Sequence, residues 1–172
     1  MSVLIQGNQV RAIALGVKVS KSSGLTQNAG TNLFTVAGGL VAVTALVGRV
    51  TTAIPNTASL TMKLQHTPSG GAAADLSGAT GITNDAVGTL YSLTSAVATD
   101  LLSIQSVSAI GGTPVAASEA PSVTFVHTLW RPVILPAGTL SALCSNHTPG
   151  SGVISWGLTY VPFDDGASVS AA

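Results

Sequence analysis

The sequence predicts an all-β protein: an antiparallel β-sandwich, jelly-roll-like or Greek-key. Residues 1–30 are expected as an N-terminal arm or edge strand, and residues 31–172 as a single sandwich domain. Three observations carry this reading. Apolar residues recur at every second position over short runs. Gly, Pro and Asn punctuate those runs at close intervals, as turns require. No stretch sustains an apolar stripe at helical spacing, and Asn84–Val87 or Thr99–Gln105 could make one short turn of helix at most.

Taken in order, residues 1–30 mix polar and apolar types without a stable period, with Lys18, Lys21, Ser22 and Ser23 near a glycine. An arm lying on a neighbour and an edge strand of the protein's own sheet fit equally. On the arm reading, removing residues 1–20 leaves the sandwich folded. Leu33–Gly48 is largely apolar, but its run of about 16 residues is short of the 20 that a membrane span needs. Its Val and Thr content, broken by Gly38-Gly39, reads as two buried strands joined by a turn. Gly48–Ile54 and Ser59–His66 then form an expected hairpin about Pro55-Asn56, with Leu60, Met62 and Leu64 on one face.

Gly88–Val97 places Tyr91, Leu93 and Val97 on one side. Ser122–Trp130 has apolar residues on both faces and reads as a strand covered on two sides. A strand at Pro132–Leu135, a turn at Pro136-Ala137-Gly138 and a strand at Thr139–Ser145 follow. The final strand is expected at Val153–Phe163, with Ile154, Trp156, Leu158 and Tyr160 inward. Thr67–Ala74, Gly111–Pro121 and Asn146–Gly152 are the connecting loops.

Charge is scarce. Six Lys plus Arg stand against six Asp plus Glu, and charged residues make up 7% of the chain, where about 25% is usual. A folded chain of 172 residues and 17.0 kDa exposes roughly 7,700 Å², or about one charge per 640 Å². Ala, Ser, Thr and Gly together supply 83 of the 172 residues. Short neutral side chains lose little rotamer entropy against a partner, and a chain of zero net charge has nothing to repel its neighbours. Such a surface suits life in an assembly. Six scattered basic residues leave no electrostatic footprint for nucleic acid or an acidic membrane, so neither is expected as a partner. The N-terminus lacks a basic start followed by an apolar core, and no export is expected.

No catalytic, cofactor-binding or metal-ligating residue is assigned, and no enzymatic activity is expected. His66, His127 and His147 show no metal-ligand spacing, although one histidine per chain could meet its copies on a threefold axis. Cys144 and His147 lie three apart, but Cys144 alternates inward with Leu140 and Ala142, where a thiol acts as a small hydrophobe. Asp164-Asp165-Gly166 pairs two carboxylates without a third nearby and reads as an exposed turn rather than a calcium loop. Trp130 and Trp156 could stack on a sugar, yet both fall within alternating strands and read as core. The sequon Asn146-His147-Thr148 matters only in a secreted eukaryotic protein.

Pro132-Val-Ile-Leu-Pro-Ala-Gly-Thr-Leu140, with Gly152-Val-Ile-Ser-Trp-Gly-Leu-Thr-Tyr-Val-Pro-Phe-Asp-Asp-Gly-Ala167, resembles the closing hairpin of small structural proteins of tailed bacteriophages. Asn84-Asp-Ala-Val-Gly-Thr-Leu-Tyr-Ser-Leu93 is similar to a middle segment of the same proteins. The resemblance covers 35 of the 172 residues and implies a virion component, a capsid decoration (cement) protein of β-sandwich or jelly-roll form. It further implies the major capsid protein as partner, a homotrimer, and a place on the capsid surface after synthesis in the host bacterial cytoplasm. A tail, baseplate or fibre-associated protein is the alternative, with a carbohydrate-binding sandwich behind it.

Overall fold

A computed structural model describes residues 15–24, 30–55, 60–94, 103–107, 132–145 and 152–172. The described elements are all strands: β1 (Val17–Gly24), β2 (Gly30–Ala37), β3 (Val41–Thr52), β4 (Thr61–Pro68), β5 (Ala74–Asp75), β6 (Thr80–Gly81), β7 (Leu90–Thr94), β8 (Ser103–Val107), β9 (Val133–Leu135), β10 (Gly138–Ser145), β11 (Val153–Pro162) and β12 (Ser168–Ala171). They form two antiparallel sheets packed as a sandwich. Sheet A runs β1-β11-β3-β7-β8, with β9 beside β7 along β3; sheet B runs β12-β2-β10-β4-β5, with β6 beside β5 along β4.

The strand order defines the topology. Take β5 and β6 as one interrupted strand and set β8, β9 and β12 aside. The remaining eight run first-eighth-third-sixth in one sheet and second-seventh-fourth-fifth in the other. That is the jelly-roll order, two interleaved Greek keys.

Several sequence expectations change here. Gly48–Ile54 and Ser59–His66 do not pair as a hairpin: β3 belongs to sheet A and β4 to sheet B, so Pro55 begins a crossing between layers. Val133–Leu135, Gly138–Ser145 and Val153–Pro162 likewise alternate between sheets and make no closing hairpin. Alternation along a strand shows that it has a buried face, but not which neighbour lies beside it. The Leu33–Gly48 run is divided between two sheets at the Gly38-Gly39 turn, and no described helix is long and apolar enough to cross a membrane. Ser103–Gln105 lies in β8, and Asn84 sits in a turn with φ 64° rather than in a helix. Val153–Phe163 is not the last strand, because β12 follows it with Val169 as its one buried residue. Ser122–Trp130, Val97, the 111–121 loop and most of the 146–152 loop lie outside the described residues.

Residues 17–24 form the edge strand of sheet A, each paired with β11 from Val17↔Tyr160 to Gly24↔Val153. Lys21 pairs with Trp156 on the inward face, and its ammonium donates to the Asn32 carbonyl at 2.8 Å and to the Ala172 oxygen. A cation turned inward on an edge strand satisfies main-chain acceptors of the opposite sheet and discourages further pairing along that edge.

The core follows the alternation. Ile154, Trp156, Leu158 and Tyr160 of β11 face Met62 and Leu64 of β4 and Leu140, Ala142 and Cys144 of β10. In β3 the inward phase shifts between Val43 and Leu46, and a bulge opposite Thr159/Tyr160 absorbs the extra residue. Leu33 and Phe34 are both buried for the same reason, at the β2 bulge opposite Leu140/Ser141. At the centre, Trp156 pairs with Gly48, and Gly48 with Tyr91. A Cβ on Gly48 would lie 2.7 Å from the indole, while the indole and phenol rings stack at 6.4 Å with 25° between planes. The missing side chain on β3 is the space that the tryptophan fills.

Trp156→Ala is expected to lose about 3–5 kcal/mol of stability, and Gly48→Ala about 1–3 kcal/mol through overpacking. Urea denaturation of the two single variants and the double variant tests the contact: the double variant costs less than the sum if the residues share one space. Deleting residues 1–20 removes half of β1 and uncovers β11, so the urea midpoint is expected to fall, contrary to the arm reading. An unchanged midpoint would return β1 to the status of an appendage.

Candidate functional site

The outer faces of the two sheets differ in chemistry. On sheet B, polar side chains bond to one another along the pleat. Thr61 and Ser145 share a hydroxyl hydrogen bond of 2.5 Å, and Ser141 bonds Asn32 Oδ1 at 2.9 Å. Lys63 Nζ donates to Asp75 at 2.8 Å and Gln65 to its other oxygen at 2.6 Å. The Lys63 hydrogen bond, and then that of Gln65, hold the Asp75 carboxyl below its usual pKa.

The outer face of sheet A is less polar. It carries Ala42, Val47, Gly157, Thr159 and Val161, all half-buried, beside Ser20, Ser22, Ser155 and Arg49, with the Lys18 stem lying over Gly157. At the end of this sheet where β3 begins, Val161 pairs with Ala42 and Ala42 with Ile134. Ile134 is 43% exposed, and Phe163, just past β11, is 67% exposed. Leu15 and Val17 are exposed at the same end, where Gly16 packs on the Tyr160 carbonyl. Four of the five large hydrophobic residues exposed among the described ones therefore lie at this end of the sheet, with Val17 on the inward side of the edge beside Tyr160, while Val87 sits in the turn bonded to the far end of β3.

The turn beyond Phe163 is tied to the β2–β3 turn. Asp164 Oδ2 accepts the Leu40 N–H at 2.7 Å, and the Phe163 and Asp164 N–H groups both donate to the Leu40 carbonyl. Gly39, at φ 140°, leaves room for that carboxylate. Asp164 thus organises a turn. Asp165 bonds nothing among the described residues, and no three His, Cys, Asp or Glu side chains gather there.

The other residues singled out by sequence find plain surroundings. Cys144 is buried between the sheets, and burial pushes its thiol up to about 11, away from thiolate chemistry. Trp156 is 2% exposed and stacked on Tyr91, so it offers no face to a sugar. Burial, and then the hydrogen bond to Asp85 at 2.5 Å, raise the Tyr91 phenol far above its usual range. His127, His147, Trp130 and the 146–148 sequon lie outside the described residues. The exposed apolar end was missed because alternation marks Ile134 and Phe163 as strand residues like any other. The one available signal was an aromatic placed between Pro162 and two aspartates.

His66 is a titratable polar group in the core, as deeply buried as Ser77 and Thr89. It is 4% exposed and pairs across β10 with Leu140; its ring bonds the Pro136 main chain, which offers only a carbonyl. Its Nε2 is buried with no hydrogen-bond partner among the described residues. Burial lowers its pKa below 6.5, and the Pro136 bond opposes that in part.

A histidine that folds neutral binds fewer protons than it does unfolded. Its stabilising share is complete above pH 6.5 and is lost as the pH falls toward its lowered folded value. Urea midpoints between pH 7 and 5 should therefore fall in the parent and fall less in His66→Leu. Equal slopes would show that His66 takes its proton without penalty.

No family model, curated protein or solved structure matches the chain, and the surfaces described above stand on their own chemistry.

Proposed function

We propose that the chain is a non-enzymatic virion structural protein: a capsid decoration (cement) protein of a tailed bacteriophage that binds the outer surface of the assembled shell and stabilises it. The supporting observation is a jelly-roll sandwich whose described surface carries few charges, most of them bonded within the molecule. Eight charged residues are described: Lys18, Lys21, Arg49, Lys63, Asp75, Asp85, Asp164 and Asp165. Five of them bond within the molecule, and Lys18, Arg49 and Asp165 bond nothing among the described residues.

A contact made on such a surface desolvates few ions. Little of its energy is Coulombic, so salt screens little of it. Jelly rolls serve both viral shells and lectins, and fold alone does not choose between them. A lectin-like site needs an exposed aromatic platform; among the described aromatic side chains only Phe163 is exposed, while Tyr91, Trp156, Tyr160 and Phe34 are buried. The threefold form implied by the phage resemblance multiplies a weak footprint through effective concentration.

Co-sedimentation of the purified protein with undecorated phage shells tests the proposal. Saturable binding at a fixed ratio to the major capsid protein is expected, persisting from low salt to about 0.5 M. Absence of binding, with rings or fibres in solution, moves the protein to the tail. Binding that collapses as salt rises would contradict a charge-poor contact.

A further inference from the structure

We propose that residues 67–73, the end of β4 and the turn into β5, form a flap that lifts when His66 takes up a proton, while the rest of the sandwich stays closed. His66 stands at the root of this flap. It pairs with Leu140 on β10 and with Ala74 on β5, and its ring bonds the Pro136 carbonyl on the β9–β10 crossing. Among the described residues its Nε2 is the one buried side-chain nitrogen or oxygen without a hydrogen-bond partner. A Cβ on Gly138 would lie 2.9 Å from that nitrogen and 2.8 Å from the Pro68 Cα, and would strike the Thr67 carbonyl. The bare Gly138 backbone and the flap thus meet beside Nε2.

A neutral imidazole donates one hydrogen bond, and the Pro136 carbonyl takes it. A second proton puts a charged donor on Nε2 with no acceptor in place, which is costly in an interior. The flap is the part most weakly held. Apart from Pro68 its residues are all exposed. Pro68 brings no N–H to its pair with Gly138. Beyond the ladder, the Ser69 N–H donates to the Ala137 carbonyl at 2.8 Å and ties the tip down. At the root, Asp75 accepts from Lys63 at 2.8 Å and from Gln65 at 2.6 Å on the outer face. Those bonds hold the Asp75 carboxyl below its usual pKa and therefore ionised through the histidine range, so the opening stops there. The groups beside the ring, Gly138, Leu140, Ala74 and Pro136, carry no charge. The other titratable groups of the described core are Cys144 on β10, pushed up to about 11, and the phenols Tyr91 and Tyr160 on sheet A. Lys21 is bonded to the Asn32 and Ala172 main chain. Closure is complete above pH 6.5 and is lost as the pH falls toward the lowered value of the closed form. The device does not depend on what the protein binds.

Hydrogen exchange of the full chain, followed by NMR at pH 7.5 and 5.5 and corrected for the intrinsic rate at each pH, tests the flap. Protection of the Ser69 amide should fall roughly tenfold between the two, the factor for a single histidine of ordinary pKa reaching solvent. At both pH values it should stay below that of the β11 amides paired with β3. It should also be unmoved by about 1 M urea, because a flap exposes little surface where unfolding exposes much. His66→Leu should abolish the change at Ser69. If that variant fails to fold, the three histidine rings are titrated in the parent, and the loss at Ser69 must track His66 rather than His127 or His147. A Ser69 amide indifferent to pH, one that follows urea in step with β11, a response that survives in a folded His66→Leu, or one that tracks another histidine would overturn the flap.

Discussion

The indole of Trp156 over the bare backbone of Gly48 is the contact on which the rest of the sandwich depends. β11 and β3 are the two central strands of sheet A, and their pairing carries the longest register in the molecule. Any side chain at Gly48 would push the ring out of line with Tyr91 and part the layers at mid-core. Because interiors pack near crystal density, such a displacement is felt by every side chain that meets the ring. Lys21 closes the same row at the sheet edge, so the layer runs from a satisfied cation through two stacked aromatics.

Charge is used sparingly and mostly for architecture. Lys21 bridges two sheets, Lys63 and Asp75 pair beside β5, Asp85 holds a buried phenol, and Asp164 ties two turns together. Each links elements distant in sequence or caps an otherwise unsatisfied group. What remains for the described outside is three scattered charges, a skin of mostly small neutral side chains and one apolar corner. A chain with that skin and zero net charge has little electrostatic repulsion between copies.

Much of this architecture was legible in the sequence. The all-β class, the β11 facing and the inward placement of Cys144 and Trp156 follow from period-two alternation, since a strand with one buried face admits only one phase. Strand partners were not legible. Pro55-Asn56 and Pro136-Ala137-Gly138 have the residues of tight turns but join opposite layers, and a turn signal is the same in both settings. β12 escaped notice because Val169 alone marks its buried face, and the β3 phase shift at Val43–Leu46 is visible only once a bulge is assumed. The apolar corner was illegible because its members come from four separate chain segments, none unusual alone.

Strand order has a consequence for how the molecule is made. β1 and β3 are both held by β11, while β2 and β4 are both held by β10. None of the first four strands pairs with another of the four. A ribosome therefore extrudes the chain as far as β7 before β3 finds a neighbour, and as far as β10 and β11 before β2 and β1 do, while β4 meets β5 and β6 early. Residues 138–162 are the late-arriving wedge that joins these strands into two layers, so sandwich formation waits for them and leaves β1 and β2 to be shielded until they emerge.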